Sequence, residues 1–165
     1  MLPFLGIGEK RRNENNNKNK RKRVRERRKT KREGASYEAL FTSEALSRGL
    51  NVLQPFGDFL PYDLLVENQH GQLIRVQVKG TTYKQKGKKN TYHMTVGKSA
   101  GYKSKVKLSK EDADVLAAYA APDKTWYHIP LEHLKSITVH LRPTEKSSAQ
   151  YEVWKEAWNV YQTKV

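Results

Sequence analysis

Four side chains in this 165-residue sequence are of types that could handle a metal ion and a water: Glu38, Asp63, Gln77 and Lys79. Asp63 opens a short apolar run, and Gln77 and Lys79 stand two apart in the next one. Alternation along that second run puts Ile74, Val76 and Val78 on one strand face and Arg75, Gln77 and Lys79 on the other. The two runs flank Asn68-Gln69-His70-Gly71, which predicts a β-hairpin. Pairing them sets Asp63 across from Gln77 and Lys79, so a carboxylate, an amide and an ammonium share one polar edge. That is the chemistry of a metal and water site. Glu38 lies on the flank of a helical stripe and points either into a cleft or into water.

Other chemistries find no support. There is no Gly-x-Ser-x-Gly elbow, no Walker loop and no Gly-x-Gly-x-x-Gly turn. His128 and His133 make no zinc site without a cysteine or a third clear ligand, and read as surface or loop histidines. The absence of cysteine excludes disulfides and thiolate metal sites.

The elements that must position the four residues follow from periodicity and punctuation. Tyr37, Leu40, Phe41 and Ala45 form a helical stripe within Ser36–Arg48, closed by Gly49. Asn51 to Gln54 reads as a strand ended by Pro55, and Phe56 to Pro61 as a turn-rich loop delivering the chain to Asp63. Beyond the hairpin, Thr91–Val96, Val115–Ala121, Thr125–Ile129 and Ile137–Leu141 are strand candidates, the last three expected as an antiparallel meander. Ser109 and Asp112 have capping-box spacing before at most one helical turn. Tyr151, Trp154, Trp158 and Tyr161 fall on one face of an expected C-terminal helix, Ala149–Tyr161, that covers the core.

Charge names the class of partner. The formal net charge is +15, and residues 10–32 hold 14 Lys or Arg against 2 Glu. Such a segment has almost nothing apolar to bury, so residues 1–33 are expected to be a basic arm without structure in isolation, with helix forming on DNA or RNA. Residues 34–165 form the domain. A second cationic region, Lys79 to Lys110, carries ten lysines and no acidic residue, interspersed with Tyr83, Tyr92 and Tyr102. A chain of this charge suits a polyanion, and nucleic acid is the commonest one. Lysines over phosphates and tyrosines on bases would use that surface; a merely solubilising sheet face is the alternative. The stretch Met1–Gly8 precedes its charges, unlike a secretory signal, and no apolar run is long enough to span a membrane. A soluble protein, cytoplasmic or nucleoid-associated, is expected.

The order helix-Glu38, strand, Pro61-Tyr62-Asp63, then Gln77-Val78-Lys79 resembles the PD-(D/E)XK nuclease superfamily. More narrowly, P-F-G-D-F-L-P-Y-D-L-L-V, L-I-R-V-Q-V-K, D-V-L-A-A-Y and T-W-Y-H-I-P-L are similar to its group I intron homing endonuclease branch, over roughly Gly34 to Tyr161. Two departures stand out. Tyr62 separates Pro61 from Asp63, and Gln77 occupies the usual carboxylate position, as it does in that branch.

The resemblance implies an α/β, restriction-endonuclease-like core: a central mixed sheet, antiparallel in its first strands, flanked by helices. It implies Mg²⁺-dependent, site-specific cleavage of double-stranded DNA, with Mn²⁺ as a substitute. In that scheme Asp63 and the Val78 backbone carbonyl are inner ligands, Gln77 offers its amide oxygen, Glu38 a second carboxylate, and Lys79 orients water or stabilises charge. Cutting both strands needs two such sites, so a homodimer or tetramer is expected. The DNA-contacting cations are expected among Lys84, Lys86, Lys88, Lys89, Lys103, Lys105, Arg21, Lys22 and Arg23. A Holliday-junction resolvase and a catalytically silent nucleic-acid-binding protein on the same scaffold are the alternatives.

Overall fold

A computed structural model describes residues 7–57, 59–88, 90–99, 104–144 and 149–162. The chain divides into two units, residues 1–35 and 36–165. Helix α1 (Ile7–Ser47) contributes residues 7–35 to the first and 36–47 to the second. The arm, expected to lack structure, is therefore helical from Ile7, and its side chains from residue 16 to Glu33 are exposed. In the second unit α1 ends as its sequence predicts. Gly49 adopts φ +76°, and the bonds Gly49 N to Leu46 O and Leu50 N to Ala45 O close a Schellman cap.

Nine strands follow among the described residues. They are β1 (Asn51–Leu53), β2 (Leu64–Glu67), β3 (Leu73–Thr81), β4 (Tyr92–Thr95), β5 (Lys98–Ser99), β6 (Lys105–Val106), β7 (Val115–Ala120), β8 (Thr125–Pro130) and β9 (Thr138–Leu141). Five build the central sheet in the order β1-β2-β3-β7-β8, antiparallel except for the parallel β3–β7 pair. This is the mixed sheet expected. β7 reads Val-Leu-Ala-Ala-Tyr-Ala and is buried throughout, as a central strand covered on both faces must be.

One core lies under α1. Phe41 and Ala45 pack there with Leu64, Val66, Ile74, Val76, Val78 and Trp126, closed by Trp158 and Tyr161. Complete burial of Phe41 alone contributes about 2–3 kcal/mol. The other core joins the opposite sheet face, through Leu116, Ala118, Tyr127 and Ile129, to Tyr92, Met94, Val139 and Leu141.

Three expectations need correction. β9 does not extend a meander with β7 and β8; it pairs antiparallel with β4 in a separate two-stranded sheet. The C-terminal aromatics do not share a helix. Two 3-10 turns, Glu152–Trp154 and Trp158–Tyr161, are separated by Glu156 at φ +50°, which sends Tyr151 and Trp154 to one core and Trp158 and Tyr161 to the other. His128 is fully buried on β8, its Nδ1 3.0 Å from the Tyr161 hydroxyl. Burial, with the Arg48 charge adding to it, pushes its pKa down to about 3, so it sits in the core as a neutral ring.

Candidate active site

The hairpin that carries the site is the one its sequence predicts. Leu64 to Glu67 pair with Val76 to Leu73, and the connection turns at Asn68, whose side-chain oxygen accepts from the backbone of His70 and Gln72. Gly71 takes the positive φ (+74°) that this tight return needs. Ile74, Val76 and Val78 enter the core under α1, which leaves Gln77 and Lys79 on the opposite face.

β3 is longer than its partner. Its nine residues pair with only four of β2, so the stretch from Gln77 to Thr81 runs past the point where β2 begins. Asp63 stands at that point. Its backbone N–H donates to Val76 O at 2.9 Å, continuing the ladder by one bond. Its side chain then takes over from the missing strand: Oδ2 accepts from Val78 N at 2.7 Å and from Gln77 Nε2. In an extended strand a residue's N–H and C=O share an edge, so the Val78 carbonyl emerges on the same edge as the Asp63 carboxylate.

Asp63, Gln77 and the Val78 backbone are thus brought together, and Lys79 is the next residue on the Gln77 face. Glu38 belongs to α1, the element covering the other face. It is half-buried, and its carbonyl accepts from Thr42 Oγ1 at 2.9 Å. Its neighbour Tyr37 is seated over Gly80, where a Cβ would collide with the Tyr37 ring. Only glycine lets the helix approach β3 so closely, one residue beyond Lys79.

The donor set fits a hard divalent cation. A carboxylate, an amide oxygen and a backbone carbonyl are all oxygen ligands. Among the described residues no cluster of three His, Cys, Asp or Glu could hold a metal. A cation at Asp63 would rely on that carboxylate, neutral oxygens and water, a mixture Mg²⁺ accepts because it keeps part of its hydration shell. The Gln77 amide nitrogen is committed to Asp63, so only its oxygen could meet a cation.

Two roles escape a reading of the sequence: Gln77 and the Val78 N–H as donors that lock the Asp63 rotamer. Strand parity could have raised the pairing, but not which atom donates.

The cations expected at nucleic acid lie elsewhere on the chain. Lys84 forms a bridge with Tyr92 and sets its ammonium 5.3 Å from that ring's centroid. Lys86 and Lys88 are exposed in the turn into β4, and Lys105 is exposed on β6. Arg21, Lys22 and Arg23 are exposed on the helix of the first unit. Lys89 and Lys103 lie outside the described residues.

Comparison with known proteins finds both a family and structural likenesses. The family model for PD-(D/E)XK endonucleases matches residues 28–161. Among solved structures, a bacterial homing endonuclease, I-Ssp6803I, is similar with a TM-score of 0.61 and 25% sequence identity, over 79% of this chain and 91% of that one. No curated protein matches the sequence.

Proposed function

The chain belongs to the PD-(D/E)XK endonuclease family, and from that premise we propose that it is a site-specific endonuclease hydrolysing phosphodiester bonds of double-stranded DNA with Mg²⁺, its working residues being Asp63, Gln77 and Lys79. One observation carries the reading: a carboxylate held rigid by Gln77 and the Val78 N–H where β3 outruns β2, beside a lysine on the same face. The likeness to a bacterial homing endonuclease supports site-specific cutting.

Asp63, the Val78 carbonyl and the Gln77 oxygen would hold the cation. Bound there, Mg²⁺ supplies Lewis-acid polarisation of the phosphoryl oxygens and a more acidic water. The rest falls to the chain. Gln77 and the Val78 N–H fix the Asp63 carboxylate, so no reorganisation is needed when the substrate arrives. Lys79 offers its ammonium to the charge that develops on the phosphoryl oxygens, and its donors to the attacking water. Glu38, from α1, is the second carboxylate of the reading, acting directly or through water. Lys84, Lys86, Lys88 and Lys105 would track backbone phosphates, and Arg21, Lys22 and Arg23 would do so from the arm. A duplex has two strands and the chain one such centre, so a homo-oligomer, dimer or tetramer, is the working form.

Purified protein incubated with Mg²⁺ (or Mn²⁺) and either duplex or four-way-junction DNA tests this. Cutting of duplex at a defined site is expected. Cutting confined to junctions would make it a resolvase, and salt-sensitive binding without cutting of either DNA would end the catalytic reading.

A further inference from the structure

Strands β4 and β9 alternate as a two-faced pair. Tyr92, Met94, Val139 and Leu141 enter the core, and His93, Thr95, Thr138 and His140 turn outward. His93 and His140 are direct cross-strand partners with ring centroids 5.3 Å apart. Beside them opens a cleft of about 390 Å³ whose lining includes Gln85, Lys88, Thr138, His140 and Arg142, and no Asp or Glu among the described residues. Its size suits a sugar-phosphate unit, and its basic lining suits an anion.

Among the described residues that line the cleft, cations converge without a carboxylate. Burial lowers the His140 pKa, and His93, Lys88 and Arg142 lower it further, so each of these stands near enough to be felt. Glu152 approaches Arg142 but is engaged by that residue's backbone N–H at 3.2 Å and by the Tyr127 hydroxyl at 3.1 Å. An anion in the cleft would relieve the repulsion and meet hydrogen-bond donors from Lys88, Arg142, His140 and Thr138.

The cleft also continues the strand that carries the candidate active site. Thr81, two residues beyond Lys79, donates Oγ1 to the His93 carbonyl at 3.1 Å. His93 N donates to Tyr83 O at 3.0 Å, and the Tyr83 and His93 rings lie 5.9 Å apart.

We propose that the cleft between the Lys88 turn and β9 binds a backbone phosphate of the DNA strand engaged at Asp63, with Lys88 and Arg142 supplying the charge and His140 and Thr138 hydrogen bonds. The proposal rests on the nuclease reading of the Asp63 site, and the test separates the two. Binding of a mixed-sequence fluorescent duplex to the full chain is followed against salt, without divalent cation, for wild type and for Lys88→Gln/Arg142→Gln. Lys88 is exposed and Arg142 half-buried, and equal thermal midpoints will show that the variant folds.

The slope of log affinity against log salt is expected to shrink by about 0.9 in the double variant, the loss of one neutralised phosphate. Inorganic phosphate is expected to move the His140 ring resonances in wild type and not in the variant. An unchanged slope overturns the proposal whatever the cleavage result. If phosphate moves His140 while the slope is unchanged, the cleft takes free phosphate and the DNA contact is refuted. If the slope shrinks but wild type with Mg²⁺ cuts no DNA, the cleft stands as a phosphate contact and the nuclease reading fails alone.

Discussion

Gln77 performs a task that a carboxylate in its place would make harder. Its amide donates to Asp63 Oδ2, whereas two carboxylates at that separation would repel or share a proton, raising the pKa of the pair. Gln77→Glu is therefore expected to fold and, once both groups ionise, to bind Mg²⁺ more tightly. The sign with pH follows: with the pair's pKa raised, metal binding and cutting should weaken on going from pH 8 to 6 more steeply than in wild type. Mg²⁺ titrations of the cleavage rate at the two pH values check this. Gln77→Ala should lose cleavage by about 10²-fold or more, because Asp63 loses a positioning bond; an alanine variant that cuts normally would reduce Gln77 to a bystander. The side-chain types and their faces are legible in the sequence, because strand alternation fixes parity. The direction of the hydrogen bond is not, since it depends on how one amide rotates. His128 escapes for another reason: β8 is covered on both faces, so no alternation marks its inward residues.

The elements are held in register by a staple at the entrance to β7. Asp114 accepts from the Arg75 backbone N at 2.8 Å and from its guanidinium at 2.7 and 3.1 Å, while Arg75 also donates to the carbonyls of Lys110 and Glu111. Nearby, Asp112 is buried and accepts from Lys98 and from Ser109. Burial opposes ionisation of both carboxylates, but Arg75 on Asp114, and Lys98 with Ser109 on Asp112, outweigh it and hold both pKa values below the usual range. Depressed carboxylates stabilise the fold above their unfolded pKa, about 3.9, and that contribution disappears as pH falls through the folded values. The neutral core ring of His128, and His140 with it, already withdraws stability as pH falls below the unfolded histidine value of about 6.5, so urea midpoints should decline from about pH 6.5 downward and more steeply below about 4, where the two carboxylates add their loss. Asp114→Asn should cost about 2 kcal/mol at pH 7 and blunt the acid drop. The central hairpin is legible because alternation and turn residues agree locally. The β4–β9 pairing joins segments over forty residues apart, and no local pattern encodes it. The C-terminal aromatics carry helical spacing, yet they serve two cores on opposite faces, and a single helical face cannot reach both.

At the scale of the whole molecule the charge is divided between the arm and the lysine-bearing surface after β3. The arm helix is polar on all sides, and its packed cations repel at i, i+4 spacing, so counter-charge should stabilise it. Helical circular dichroism is expected to rise when duplex DNA is added to the full chain, and the rise should disappear when residues 1–33 are deleted. Composition makes the basic character of the arm legible, but helix against coil is undecided by a sequence that buries nothing. Cleavage at a defined site depends on the Asp63 carboxylate in the proposed reaction, and total genomic DNA offers a very large set of sequences at once. The decisive measurement is to sequence the DNA ends produced with Mg²⁺ by wild type and by Asp63→Asn. Ends clustered at one or a few sites are expected with wild type, and their loss, by about 10³-fold, with the variant. Equal cutting by Asp63→Asn, or no new ends with wild type, would contradict the proposed reaction.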